Sequence, residues 1–240
     1  MAAYELCGSF AVFTPPPAIE RALAEPSNAA ALRIAGAWRR VVDTKGRATN
    51  LWSREPLVDL DDLRQFVANT KGLRGNKGLA WAVSCIKGVA ASPLEVQAAM
   101  LLGLRTSQGG RNFTDLQLNR RIYLGTGARR LSSKTSCVAD IYLEGPAPRP
   151  VDIECQGGIV HDSTSAALDD SRRSLALQSM GIDVMSVTHD QLYDPQAFDI
   201  LCATLAKRLE RPVHPRSATA MAKERELRRH LFSDWNRLVS

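Results

Sequence analysis

Asp140 and Glu154 are the residues whose type and placement point most directly to chemistry. Asp140 stands inside V-A-D-I-Y and Glu154 inside V-D-I-E-C, two runs rich in strand formers. Carboxylates are depleted in strands and costly to bury without partners. Two of them on paired strands make a natural site for a hard cation. Mg²⁺ (or Mn²⁺) takes oxygen ligands and is commonly held by one or two carboxylates with water and substrate phosphate. Such an ion lowers the pKa of a bound water and stabilises charge on a phosphoryl group. Glu95 is a third acid able to reach the same point from a preceding helix. Each has a plainer reading. Asp140 and Glu154 can be strand acids paired with arginines at a sheet end, and Glu95 can be a capping-box residue.

The elements that must position these acids follow from local pattern. Ser92-Pro93-Leu94-Glu95 reads as a helix start, with Ser at the N-cap and Pro first, and the helix ends near Gly103. SQGGRNF is a loop and RRIYLG a short strand. SCVADIYLEG and VDIEC form a hairpin over 136–155, joined by the turn EGPAPRP. QGGIVHDSTS is a loop. Residues 165–180 form a helix with Leu168, Leu175 and Leu177 as its apolar residues and Gly181 as its C-cap. IDVMSVT is a buried strand, and Asp194-Pro195 opens a further helix to about Leu209. The order helix, strand, hairpin, helix, strand, helix predicts an α/β unit with a mixed sheet flanked by helices.

Residues 1–90 read as an accessory, mainly helical region, 91–210 as the core, and 211–240 as a C-terminal helical tail. Within the first, VDLDDLRQFVANT predicts a short amphipathic helix, KGLRGNKG a connector and LAWAVSCIKGVA a buried helix. The tail is charged, and Trp235 and Leu238 predict that its end docks on something apolar. That makes it a packing or partner helix, open to a homo-oligomer or another protein.

The 240 residues are enough for one large domain or two small ones. No apolar run is long enough to span a bilayer. The N-terminus lacks the basic region of a signal peptide, so a cytoplasmic protein is expected. Five cysteines at irregular spacings, without a CxxC pair, predict free thiols rather than a zinc site or a disulfide framework. The net charge of +6 is compatible with nucleic-acid binding and equally with a merely soluble surface. Gly109-Gly110 and Gly157-Gly158 fit neither a P-loop nor a dinucleotide fingerprint.

Taken in order, S-P-L-E at 92–95, A-D-I-Y at 139–142, V-D-I-E-C-Q-G at 151–157, His161, D-D-S-R-R at 169–173 and M-G-I-D-V-M-S-V-T at 180–188 resemble a known family. They look like the Vsr-like branch of the restriction-endonuclease-like, PD-(D/E)xK superfamily, in particular its uncharacterised bacterial proteins. The resemblance covers about half the chain or more, and leads to the expectation that similar proteins continue upstream of residue 1. It implies an αβββαβ core, with Asp140 as the central metal-binding carboxylate, Glu154 as the second and Glu95 as the helix-borne acid. It also implies that Asp169 and Arg172 brace the site or contact phosphate. The superfamily usually carries a lysine two residues after the second acid, where this chain has Gln156. Gln cannot act as a cationic stabiliser or a base, though its amide can meet a metal or a phosphate.

The expected activity is Mg²⁺-dependent hydrolysis of DNA phosphodiester bonds, with His161 or Gln156 assisting Asp140, Glu154 and Glu95. His161 is also readable as an exposed loop histidine. Arg120 and Arg121, in a basic stretch running through Arg129, Arg130 and Lys134, can track a phosphate backbone or form a solvated basic loop. Asp169, Asp170, Arg172 and Arg173 can equally be a solvated helix face. A second function class is a catalytically degenerate nuclease fold that binds nucleic acid or protein in regulation or defence. A third is a purely structural partner protein.

Overall fold

A computed structural model describes residues 38–42, 48–53, 60–73, 76–86, 88, 90–156 and 164–232. The chain divides into two compact units, one of residues 1–92 with 232–240 and the other of Pro93–Leu231.

In the first unit, β1 (Trp38–Val42) and β2 (Ala48–Ser53) pair antiparallel. This hairpin adds strands to a region expected to be mainly helical. WRRVV and LWS are β-branched and aromatic on either side of a D-T-K-G run, and that composition favours strands. α1 (Leu60–Asn69) and α2 (Asn76–Cys85) follow the expected amphipathic and buried helices, and pack on each other. α2 begins inside the expected connector. There the Asn76 amide donates to Val67 O at 2.9 Å and Thr70 Oγ1 at 2.8 Å. Leu63, Leu79, Ala82 and Val83 are buried.

The second unit is α/β, with a four-stranded mixed sheet flanked by helices. Its strands are β3 (Gln117–Tyr123), β4 (Ser136–Leu143), β5 (Val151–Gln156) and β6 (Asp183–Thr188), in that spatial order. β3, β4 and β5 pair antiparallel, and β6 joins β5 in parallel. The parallel step is made possible by α5 (Thr164–Ser179), because parallel strands need a crossover.

α3 (Pro93–Gly103) opens the unit and is buried from Leu94 to Leu102, which explains its continuous apolar character. It packs against β4 and β5. α4 (Thr126–Ser132) falls in the basic stretch for which no helix was expected, and buries Ala128 and Ser132. α4 and α5 contribute Ala128, Ala176 and Leu177 to a core with Ile122, Cys137, Ala139 and Tyr142. Leu168 and Leu175, expected on the apolar face of α5, are 56% and 52% exposed. Leu177 is buried as expected, with Ala176 beside it on the buried face. β6, expected to be wholly buried, is an edge strand that buries Met185 and Val187 but exposes Ser186.

α6 (His189–Tyr193) and α7 (Pro195–Arg208) are capped by Thr188 and Asp194, whose side chains accept from Gln191 and Gln196 backbone N–H groups. α8 (Ala218–Leu231) belongs to this same unit. It packs on α3 and on the short 3₁₀ turn Thr106–Gln108, burying Leu227 and Leu231. The Gln97 amide of α3 donates to Leu231 O at 2.9 Å. Trp235 and Leu238 lie outside the described residues. Among the described residues no helix is long and apolar enough to cross a membrane.

Candidate metal centre

Asp140 sits where β4 loses regular pairing on both sides. Towards β3 the ladder runs from Leu118↔Ile141 directly to Arg120↔Ala139, skipping Asn119 and Asp140. Asn119 has φ +49°, a left-handed conformation that Asn tolerates better than other non-glycine residues. Towards β5 the ladder ends at Ile141↔Ile153. The Cys155 backbone N–H then donates to Asp140 Oδ2 at 2.9 Å. An interrupted sheet beside an unusual backbone angle is a place where side chains are re-aimed.

Three further acids surround this point. The Asn119 amide donates to Glu95 Oε2 at 3.0 Å, tying α3 to the interruption. Glu95 itself is buried. Tyr142 pairs with Asp152, so strand alternation carries Asp140 together with Glu154 and Asp152. Burial first, then the neighbouring Glu154 charge, push the Asp140 carboxyl up to about 6; Glu95 adds to this and the Cys155 N–H opposes it.

Asp152 is the least comfortable group in the site. It is fully buried, and neither carboxyl oxygen has a hydrogen-bond partner. Burial, followed by contact with Glu154, raises its pKa well above the usual carboxylate range. Glu154 is compensated differently. Arg173 of α5 grips it bidentately, with Nη1 to Oε2 and Nη2 to Oε1 both at 2.5 Å. The same guanidinium donates to Val138 O. Asp140, Asp152 and Glu154 thus share one guanidinium.

The other sequence-derived candidates are placed as follows. Gln156, at the exposed end of β5, donates to Ser186 Oγ at 3.3 Å. Arg172 is turned away from Glu154 and pairs with Asp169 at 3.6 Å on the exposed helix surface. Arg120 is half-buried, bonded to Glu144 at 2.8 Å and stacked over Tyr142. Arg121 is exposed. His161 lies outside the described residues. Asp152, Arg173 and Asn119 were not singled out as site residues. Asp152 carried a signal, as a strand-depleted type inside the expected strand VDIEC, whereas Asn119 stands just before the expected strand RRIYLG and carried none.

Among the described residues no three Asp, Glu, His or Cys side chains stand together in an arrangement that holds a metal ion. The donor set still fits a hard divalent cation. It is all oxygen, and Asp152 is a fully buried carboxyl group set beside Glu154, a pair of acids whose negative charge a cation would neutralise. Cys155 does not alter this, because burial, then Asp140 and Glu95, keep its thiol protonated. The fold thus defines an α/β protein with a carboxylate-rich centre at a break in its mixed sheet. The chain matches no protein-family model, no curated protein and no solved structure.

Proposed function

We propose that this protein is a Mg²⁺-dependent phosphodiesterase acting on DNA, with a restriction-endonuclease-like core. The observation that carries the reading is the gathering of Asp140, Asp152 and Glu154 at the break in the sheet, with Glu95 behind them. Asp140 and Glu154 would hold the cation, with Asp152 and Glu95 supporting them. A bound cation would supply charge neutralisation at phosphorus and a water of lowered pKa. Asp140 is positioned by the Cys155 N–H, which fixes one carboxylate oxygen and leaves the other to a ligand or a water. Arg173 holds Glu154 in place and offsets its charge while the site is empty of substrate. Asn119 holds Glu95 against the sheet. The basic balance of the chain favours approach to a polyanion.

Plasmid nicking with Mg²⁺ or Mn²⁺ tests this reading. Wild-type protein should nick and Asp140→Ala should not; equal nicking by both would remove Asp140 from the mechanism. A second reading draws on two observations: Gln156 stands where a lysine is usual, and Arg173 occupies both oxygens of Glu154. On that reading the core is a degenerate nuclease fold that binds nucleic acid or protein. Calorimetry separates the two. A protein that shifts DNA yet takes up no divalent ion at about millimolar levels fits the second.

A further inference from the structure

A different part of the second unit holds a cavity of about 540 Å³, well within the range of small-molecule sites. It lies between the 106–113 loop, α7 and the Pro-rich segment 211–216. Three arginines line it, Arg111, Arg211 and Arg216, together with His214; Asp199 is the one carboxylate among the lining residues. Phe113, Cys202 and Val213 supply apolar wall.

The arginine heads are held by Asp199, within the cavity wall, and by Glu224 and Asp115 outside it. Arg216 binds Asp199 at 2.8 and 3.0 Å and also bonds Glu224. Arg111 reaches Glu224 at 3.1 Å, bonds Asp199, and lies over the Phe198 ring at 4.8 Å. Its side chain is only 10% exposed, and its buried Nε has no hydrogen-bond partner. Arg211 grips Asp115 with two N–H groups at 2.9 and 2.5 Å and donates to Glu144 O. Glu224 and Asp115 are not among the lining residues, so the wall facing the cavity is richer in cations than the network behind it. Each guanidinium has five N–H donors in a planar fork, and such preset forks suit a phosphate. Covalent chemistry does not fit. Burial pushes the Cys202 thiol up to about 12, so it stays protonated and is no nucleophile.

We infer that this cavity binds a small phosphate monoester, its phosphate on the arginines and its organic part against Phe113, Cys202 and Val213. The site is independent of the carboxylate centre. Calorimetry and thermal shift test it, with the full chain and two probes, inorganic phosphate and 2′-deoxyadenosine 5′-monophosphate. Wild type should bind the nucleotide and gain thermal stability. Ala203→Trp fills the cavity from an exposed position on α7 outside the ionic network. It should weaken binding by about tenfold or more while the unliganded Tm moves by no more than about 2 °C. Asp140→Asn should bind as wild type does, which separates this site from the carboxylate centre. Three results would overturn the inference: no nucleotide binding at about 10 mM, undiminished binding by Ala203→Trp, or binding of inorganic phosphate with the nucleotide excluded.

Discussion

At the scale of single residues, the site is governed by what burial does to Asp140 and Asp152. In the folded chain Asp140 keeps its proton up to about pH 6, whereas an unfolded aspartate releases it near pH 4. Between those values the folded state binds a proton that the unfolded state has lost, so stability falls as pH rises through this window. Asp152 is shifted in the same direction and extends the loss to higher pH. Urea unfolding in metal-free buffer should therefore show wild type losing stability from about pH 4 to pH 6. Asp140→Asn should flatten that slope, and an unchanged slope would show that Asp140 does not hold its proton. Asp152→Asn should be close to neutral below about pH 4 and more stable than wild type at pH 8, by about 2 kcal/mol or more. Asp140, Glu154 and Glu95 were legible in the sequence because acids inside strand or helix-start patterns stand out. Asp152 carried the same signal two residues from Glu154, but only its complete burial separates it from an ordinary strand acid.

At the scale of elements, helical phase and strand register decide which neighbours count. D-D-S-R-R offers two adjacent arginines, of which the family resemblance implies a role for Arg172. Arg173 is the one in phase with the buried Ala176 and Leu177, at i+3 and i+4, so it faces the sheet and grips Glu154. The same phase explains the exposure of Leu168 and Leu175, which period alone could not separate from the core. Removing Arg173 leaves a largely buried Glu154 uncompensated. Arg173→Ala should cost about 3 kcal/mol in urea unfolding, against less than about 0.5 kcal/mol for Arg172→Ala. Equal effects would mean that the Glu154 contact contributes nothing. Asn119 presents a backbone case. Asn119→Gly keeps the left-handed angle and should lose mainly the Glu95 bond, whereas Asn119→Val adds strain of about 1–3 kcal/mol. Val should therefore be clearly the worse of the two in thermal unfolding. The break in the ladder at Asn119 had no counterpart in the sequence reading, because register is a relation between strands and not a property of either one.

At the scale of the whole molecule, the mixed sheet flanked by helices was readable from the alternation of hairpin, helix and strand, but the order of its strands was not. Three features escaped that reading: the β1–β2 hairpin, helix α4 hidden in a basic run, and α8 as part of the second unit. Each depends on which surfaces meet, as where Gln97 of α3 bonds the end of α8. The second unit owns its core, so a fragment of residues 93–231 should unfold cooperatively on its own, as followed by circular dichroism in urea. A gradual, non-cooperative transition would show that the rest of the chain completes the fold. On the proposed function, the acids at the sheet break form a hard-cation site. A crystal of the full chain soaked in Mn²⁺ tests it most directly. Anomalous density between the Asp140 and Glu154 carboxylates, absent from an Asp140→Asn crystal, is the result expected. Mn²⁺ bound elsewhere with those carboxylates unliganded would contradict the claim.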